Sequence, residues 1–264
     1  MSIIPSSLAE QFPGIIIKIG GRPTTDITCM HALADEIGSL IRSGMRIAVV
    51  HGGGARVTLL SERLGVTPRF TEGVRVTGSE DMLIADQVLA GEMNTELIRM
   101  FHSRGVRSVG LTGCDAGLCT GTAINEHTGI VSHTDTTVLS ALWDAELLPV
   151  IASVSQDIDG KPLNINADEL ARGIAAELHA AALVYISDIA GILIQNTIAK
   201  RLTPADIHDG IQNGDIRDGM AAKTRAALAG LQQGIGTVCI GDYAVEGDLV
   251  QLLTGQRGTH IGTF

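Results

Sequence analysis

Short apolar runs alternate along this chain with longer stretches in which apolar positions recur at helical spacing. The runs at residues 14–19, 46–51, 106–111, 148–152, 182–187 and 236–240 read as strands. Their near-continuous apolarity is that of strands covered on both faces, as in parallel sheets. A helical period fits residues 28–43, 55–64, 80–103, 137–145, 167–179, 203–213 and 220–233, several of them opened by Ser, Thr or Asp. Strand and helix in alternation predict an α/β chain, an open and mostly parallel sheet sandwiched between helices. Three polar, glycine-containing stretches interrupt the pattern at 65–77, 113–133 and 153–164. Alternation within them, as in Arg69-Phe70-Thr71 and Gly73-Val74-Arg75-Val76, predicts hairpins at one end of the sheet, where ligands usually sit. A new strand after a long helix suggests lobes at 1–180 and 181–264.

Composition sharpens this picture in two ways. Glycine supplies 32 of 264 residues, about 12% against a typical ~7%, so many backbone positions need unusual turns or close approach. Of the 19 basic residues only Lys18, Lys161, Lys200 and Lys223 are lysine. The formal charge of −10 and the absence of a Lys/Arg-rich run disfavour a nucleic acid or an anionic membrane as partner and leave room for a small anion in a local pocket. Cys29, Cys114, Cys119 and Cys239 form no CxxC pair, and neither a leader nor a membrane span is visible, which reads as a cytoplasmic protein with reduced thiols.

Two glycine turns follow predicted strands, Lys18-Ile19-Gly20-Gly21 and His51-Gly52-Gly53-Gly54-Ala55. Neither is the dinucleotide fingerprint: Gly20 lacks a glycine two residues on, and Gly52-Gly53-Gly54-Ala55-Arg56-Val57 ends in valine. A Walker A loop also fails, because Pro162 follows Gly160-Lys161 and Ala222 precedes Lys223-Thr224. What remains is a pair of turns whose bare N–H groups can cradle the phosphates of one nucleotide at helix N-termini, or which simply reverse the chain. Lys18 interrupts an apolar strand near its end, a costly place for a charge without an anionic partner. Lys223, taken alone, reads as a solvated helix charge. Asn164-Ile165-Asn166-Ala167-Asp168 offers amides and a carboxylate where a helix begins, either to cap it or to hold polar groups and orient cations. Arg75 on its hairpin is suited to bidentate carboxylate binding or is an ordinary surface arginine. No HxH, HExxH or GxSxG spacing occurs, so no protein metal site or serine elbow is expected, and Cys114 reads as an inert turn thiol.

Taken in order, these segments resemble the amino acid kinase family. The stretches that carry the likeness are Ile17-Lys18-Ile19-Gly20-Gly21, Val50-His51-Gly52-Gly53-Gly54, Gly73-Val74-Arg75-Val76-Thr77, Val88-Leu89-Ala90-Gly91 with Asn94, Gly110-Leu111-Thr112-Gly113, Asn164-Ile165-Asn166-Ala167-Asp168, Ser187-Asp188-Ile189-Ala190-Gly191-Ile192, Asp218-Gly219-Met220 through Lys223, and Gly258-Thr259. The Gly-Val-Arg-Val-Thr hairpin, the Leu-Ala-Gly with its asparagine and the Asn-Ile-Asn-Ala-Asp segment point to the branch that phosphorylates the side-chain carboxylate of N-acetyl-L-glutamate in arginine biosynthesis. The resemblance implies an N-terminal lobe for the amino acid and a C-terminal lobe for ATP, with Mg2+ bound mainly through the nucleotide phosphates. It implies Lys18 and Lys223 beside the transferring phosphoryl group, with Asp168 orienting them. Gly53, Gly54, Arg75 and Asn164 would hold the acylated amino acid. Gly20, Gly21, Gly52, Ser187, Asp188, Gly191, Gly219 and Met220 would line the ATP site.

Arg22-Pro23 after the first turn, Cys114 and Val131-Ser132 depart from the family pattern. They keep open another acylated acidic amino acid as acceptor, alongside a catalytically silent sensor of nucleotide or amino acid. Pro5 and Pro13 confine any helix ahead of the first strand to residues 6–12. Arginine-sensitive members of the family resembled carry an extra N-terminal helix that links dimers into hexamers, so the resemblance implies a homodimer without strong arginine inhibition.

Overall fold

The structure, a computed structural model, describes residues 6–20, 26–71 and 73–264, the side chains of residues 6, 218, 219 and 222 excepted. In chain order the first half holds α1 (Ser6–Gln11), β1 (Gly14–Ile19), α2 (Ile27–Arg42), β2 (Arg46–His51), α3 (Gly54–Arg63), β3 (Arg69–Thr71), β4 (Val74–Val76), α4 (Ser79–Ala85), a π-helical segment (Asp86–Met93), α5 (Asn94–Ser103) and β5 (Ser108–Thr112). There follow β6 (Cys119–Ala123), β7 (Thr128–Thr134), α6 (Thr137–Asp144), β8 (Leu148–Ala152), β9 (Val154–Gln156), β10 (Pro162–Ile165) and α7 (Ala167–Glu177). The last third holds β11 (Ala182–Ile186), β12 (Leu193–Ile194), β13 (Thr197–Ile198), β14 (Arg201–Leu202), α8 (Pro204–Gln212), α9 (Asp218–Gln232), β15 (Thr237–Gly241), α10 (Asp248–Thr254) and β16 (Thr259–Ile261).

Two compact units form, one from Met1–Ile47 with Ala175–Phe264 and one from Ala48–Ile174. This division differs from a single break near residue 180. The first strand folds with the C-terminal third because β1 pairs in parallel with β11, Ile15 opposite Ala182 and Ile19 opposite Ile186. Sequence order alone could not foresee a pairing so distant along the chain.

In the first unit the strands lie in the order β14-β16-β15-β11-β1, parallel except where β15 meets β16. Every residue of β11 is buried, as expected of a central strand covered on both faces. Asp26 starts α2 by accepting the N–H groups of Thr28 at 2.9 Å and Cys29 at 3.2 Å. Farther along α2, the buried Glu36 accepts from the Tyr243 hydroxyl at 2.8 Å and from the N–H groups of Gly247 at 2.9 Å and Val250 at 2.8 Å. Burial pushes this carboxyl above its ordinary range, and the hydrogen bonds oppose that shift. One side chain thereby fastens α2 to the start of α10.

In the second unit β2, β8 and β5 pair in parallel, with His51 and Thr112 both opposite Ala152. The hairpin expected at 65–77 is β3–β4, Phe70 opposite Arg75. The hairpins expected within 113–133 and 153–164 are β6–β7 and β9–β10, and the two join into a closed four-stranded barrel, β10-β7-β6-β9. Ser132 is the bulged residue where β6 and β7 shift register, and its hydroxyl donates to the Thr120 carbonyl at 2.9 Å.

The helix expected over 80–103 is continuous but not uniform. It is α4 and α5 with a π segment between them, and the wider turn inserts an extra residue without breaking the apolar face. Val88, Leu89 and Met93 from this segment pack with Val57, Met82, Ile84, Ala85, Ala152 and Val154 into one buried cluster. The other expected strands and helices occur within about two residues of their sequence boundaries. The sequence pattern missed α10 and β16, both short and glycine-flanked.

Replacing Glu36 by Ala leaves two backbone donors and a phenol inside the first unit without their acceptor, at a cost of about 3 kcal/mol. Thermal unfolding should shift down by roughly 6–12 °C, and by less in Glu36→Gln, which keeps one acceptor oxygen. An unchanged midpoint in the alanine variant would show that these bonds carry no net stability.

Candidate active site

The second glycine turn begins where β2 ends. Gly53 precedes α3, whose first N–H groups have no acceptor within the helix. Side-chain space decides why these residues are glycine. A Cβ on Gly53 would fall 2.0 Å from Met93 Sδ and 2.8 Å from Leu89 Cδ2, whereas one on Gly54 would meet nothing within 4 Å. The π segment is thus pressed against Gly53, while Gly54 faces open space. A Cβ on Gly52 would lie 3.3 Å from Ala167 Cβ, which places the first turn of α7 beside this turn. In α7 the capping role falls to Asn166: its Oδ1 accepts the Asp168 N–H at 2.8 Å, and Asp168 sits in the first turn, half-buried.

Arg75 is not a surface residue; it is 8% exposed. Its Nη2 donates to the Gly54 carbonyl at 3.2 Å and to Thr58 Oγ1, and the guanidinium lies over the Phe70 ring, 4.8 Å from its centroid. Among the described residues its buried Nη1 has no hydrogen-bond partner. Burial lowers the guanidinium's pKa from its usual value, and the Asp81 carboxylate works the other way. The hairpin is held to the barrel by Thr128, whose hydroxyl donates to the Arg75 carbonyl at 3.0 Å and accepts the Thr77 N–H at 2.9 Å. Asn164 on β10 donates through Nδ2 to Thr77 Oγ1 at 3.0 Å. Gly52, Gly53, Gly54, Arg75, Asn164 and Asp168 therefore all belong to the second unit, the first five tied to one another or to α7 through α3, the hairpin and the barrel.

The remaining candidates belong to the first unit. Lys18 and Gly20 adjoin: a Cβ on Gly20 would fall 2.6 Å from Lys18 Nζ, and the Gly20 N–H donates to the Ile186 carbonyl at 3.0 Å. Ser187 and Asp188 follow β11, and the Ser187 N–H donates to the Gly241 carbonyl at 2.9 Å at the end of β15. These residues share the carboxyl edge of parallel strands, the edge at which open α/β sheets take ligands. Gly191 lies in the same loop, which the Ile192 N–H anchors to Thr259 Oγ1 at 2.8 Å. Gly219, Met220 and Lys223 occupy the first two turns of α9, with Lys223 half-buried. Gly21 lies outside the described residues, as does the Arg22-Pro23 pair.

Sequence reasoning did not single out Thr58, Thr77 or Phe70, which fix Arg75 and Asn164; nothing in their spacing distinguishes them from ordinary helix and hairpin residues. Cys114 sits in a turn closed by Asp115, whose Oδ2 accepts from the Thr112 N–H at 2.6 Å and hydroxyl at 2.8 Å. Desolvation raises the thiol's pKa, and the nearby Asp115 and Asp86 carboxylates add to that, so the nucleophilic thiolate is disfavoured. Lys200 donates to the Gln256 carbonyl at 2.8 Å, a structural tie for a lysine without an expected role.

The sequence pattern of the amino acid kinase family matches residues 14–242. Curated relatives named acetylglutamate kinase, from Chlorobium chlorochromatii and Symbiobacterium thermophilum, are each 34% identical to this chain. The alignments cover 96% of this chain and 90% of the first relative, and 97% of this chain and 92% of the second. A solved Streptococcus mutans structure superposes with a TM-score of 0.82 at 26% identity, over 95% of this chain and 98% of that one. The N-acetylglutamate synthase of Neisseria gonorrhoeae, solved with coenzyme A and N-acetyl-glutamate, gives a TM-score of 0.84 at 24% identity over 98% of this chain and 62% of its own, a likeness of fold. With the pattern running from the start of β1 to just beyond β15, and the glycine turns at the carboxyl ends of parallel strands, the chain belongs to the amino acid kinase family.

Proposed function

We propose that this chain transfers the γ-phosphoryl group of ATP to the side-chain carboxylate of N-acetyl-L-glutamate, forming an acyl phosphate in arginine biosynthesis. The observation that carries the acceptor assignment is the Arg75 guanidinium, buried with one nitrogen that has no partner among the described residues, beside a glycine that opens onto unfilled space. A buried cation with unused donors favours an anion, and a carboxylate matches the guanidinium fork. Relatives bearing the name acetylglutamate kinase, matched over nearly their whole length, support the choice of anion.

The chemistry asks little of proton transfer. The attacking carboxylate is ionised at neutral pH, so the protein's work is to align it and to offset the negative charge brought together in the transition state. In this reading Arg75 and Asn164 hold the acceptor, and the N–H groups of Gly53 and Gly54 at the start of α3 face the reacting oxygens. Gly52 approaches the nucleotide's phosphates. Lys18 and Lys223 supply compact ammonium charges to the phosphates, and Asp168 contributes a carboxylate from the first turn of α7. Gly20, Gly21, Ser187, Asp188, Gly191, Gly219 and Met220 line the nucleotide site in the first unit. Among the described residues no group of three or more His, Cys, Asp or Glu is placed to hold a metal ion. In this reading a Mg2+ ion would arrive on the nucleotide and neutralise phosphate charge there. We further assign a cytoplasmic homodimer; no helix among the described residues is long and apolar enough to cross a membrane.

ADP release measured with acetylglutamate, acetylaspartate, glutamate and uridine monophosphate tests the acceptor. Acetylglutamate should be the preferred substrate by at least an order of magnitude in kcat/KM, and preference for any of the others overturns the assignment. Lys18→Ala and Lys223→Ala should each lower kcat on the order of 10²–10³-fold in a folded protein, the cost of removing one group that stabilises transition-state charge. A near-normal rate in either variant contradicts its role. Arg75→Ala should raise KM for acetylglutamate about 10- to 100-fold and move KM for ATP less than about threefold. An equal rise in both constants would place Arg75 outside the acceptor site.

A further inference from the structure

The histidine that precedes the second glycine turn is wholly buried, and it is not an idle core residue. His51 Nδ1 lies 3.0 Å from the Gly52 carbonyl oxygen, and its Nε2 lies 3.0 Å from Asn94 Nδ2. The orientation of the Asn94 amide is fixed by its surroundings: the same Nδ2 is 2.9 Å from the Val150 carbonyl and 3.4 Å from that of Leu111, and carbonyls only accept. Nδ2 carries two hydrogens, and its two shorter contacts, the Val150 carbonyl at 2.9 Å and His51 Nε2 at 3.0 Å, take one each. His51 Nε2 must accept, so the proton resides on Nδ1 and is donated to Gly52. Burial pushes the imidazole pKa down to about 4, which keeps the ring neutral near pH 7. The carboxamide has its place because Gly110 carries no side chain; a Cβ there would fall 2.0 Å from Asn94 Oδ1.

We infer that His51 and Asn94 are positioning residues, a relay that pins the Gly52 carbonyl and so aims the Gly53 N–H at the reacting oxygens. The step from carbonyl to N–H is covalent. The Gly52–Gly53 peptide is planar and trans, so fixing its C=O on one side directs the Gly53 N–H to the other. The next residue is held too, since Leu89 and Met93 leave Gly53 no space and Arg75 binds the Gly54 carbonyl. A glycine turn is otherwise the most permissive backbone available, and a transition state gains from donors that need no reorganisation. Asn94 opens α5 at the end of the π segment, and the same segment presses Leu89 and Met93 onto Gly53. The π turn thus serves both ends of the device. This inference rests on the phosphoryl-transfer reading for its catalytic consequence and on geometry alone for the relay.

Two substitutions separate a hydrogen-bonding role from space filling. In His51→Asn the amide nitrogen can occupy the position of Nδ1 and still donate to Gly52. In His51→Gln the side chain is closer in size to histidine and can still meet Asn94, but its amide lies one atom too far for the Gly52 contact. The relay predicts kcat within about fivefold of wild type for His51→Asn and at least ~30-fold lower for His51→Gln, with KM for both substrates moving less than about threefold. A packing role predicts the reverse order; that order, or wild-type kcat in both variants, overturns the inference. Should His51→Gln fail to fold, imidazole 15N shifts of the wild-type protein decide: a neutral ring protonated at Nδ1 supports the relay, and an imidazolium or the Nε2–H tautomer overturns it. Should the wild type form no acyl phosphate, the functional reading fails separately. The relay is then read from the Gly53 and Gly54 amide resonances, retained in His51→Asn and displaced in His51→Gln if it holds, and unchanged in both if it does not.

Discussion

The turn from His51 to Gly54 is the constraint on which the second unit is organised. In the proposed reaction it presents backbone N–H groups, and it does so from residues that have almost no conformational preference of their own. Every neighbour answers that need. β2 delivers the turn at a sheet edge, the π segment closes on Gly53, the hairpin clamps the Gly54 carbonyl through Arg75, and Ala167 abuts Gly52. Arg56, in the first turn of α3, pairs with Glu92 at 2.8 Å and Glu96 at 2.5 Å, which ties the same helix start to the π segment and α5. Rigidity that glycine cannot supply is thus borrowed from side chains around it.

The first unit solves a related problem with different means. There Lys18 itself lies against Gly20, so an ammonium group sits at the end of β1. A strand interior is a poor place for a charge, and β1 carries this one next to its last residue. The buried Glu36 shows the same logic in a structural setting: a charge inside the fold is tolerated because three donors converge on it.

Much of this was legible in the sequence because it is local. Strands buried on both faces write themselves as apolar runs, and β2, β8 and β1 fall where those runs do. The pairing of β1 with β11 and the closure of β6, β7, β9 and β10 into a barrel were not legible, because hydrogen bonds between strands far apart in sequence leave no periodic trace. The π segment hid for a different reason: over eight residues its wider turn barely alters an amphipathic pattern. Arg75 marks the limit for single residues. Its hairpin and its guanidinium were readable, but only the packing of Phe70, Thr58 and Gly54 around it turns an ordinary arginine into a buried cation with a nitrogen to spare. Asn166 resolves the opposite ambiguity, taking the cap that either it or Asp168 could have made.

In the proposed reaction a mixed anhydride forms on the side-chain carboxylate of acetylglutamate. Hydroxylamine trapping during turnover with Mg-ATP reads that bond directly. Acetylglutamate hydroxamate should form in proportion to ADP and depend on the acetylglutamate added. ADP release without hydroxamate, or hydroxamate formed only with a different acid, would contradict it.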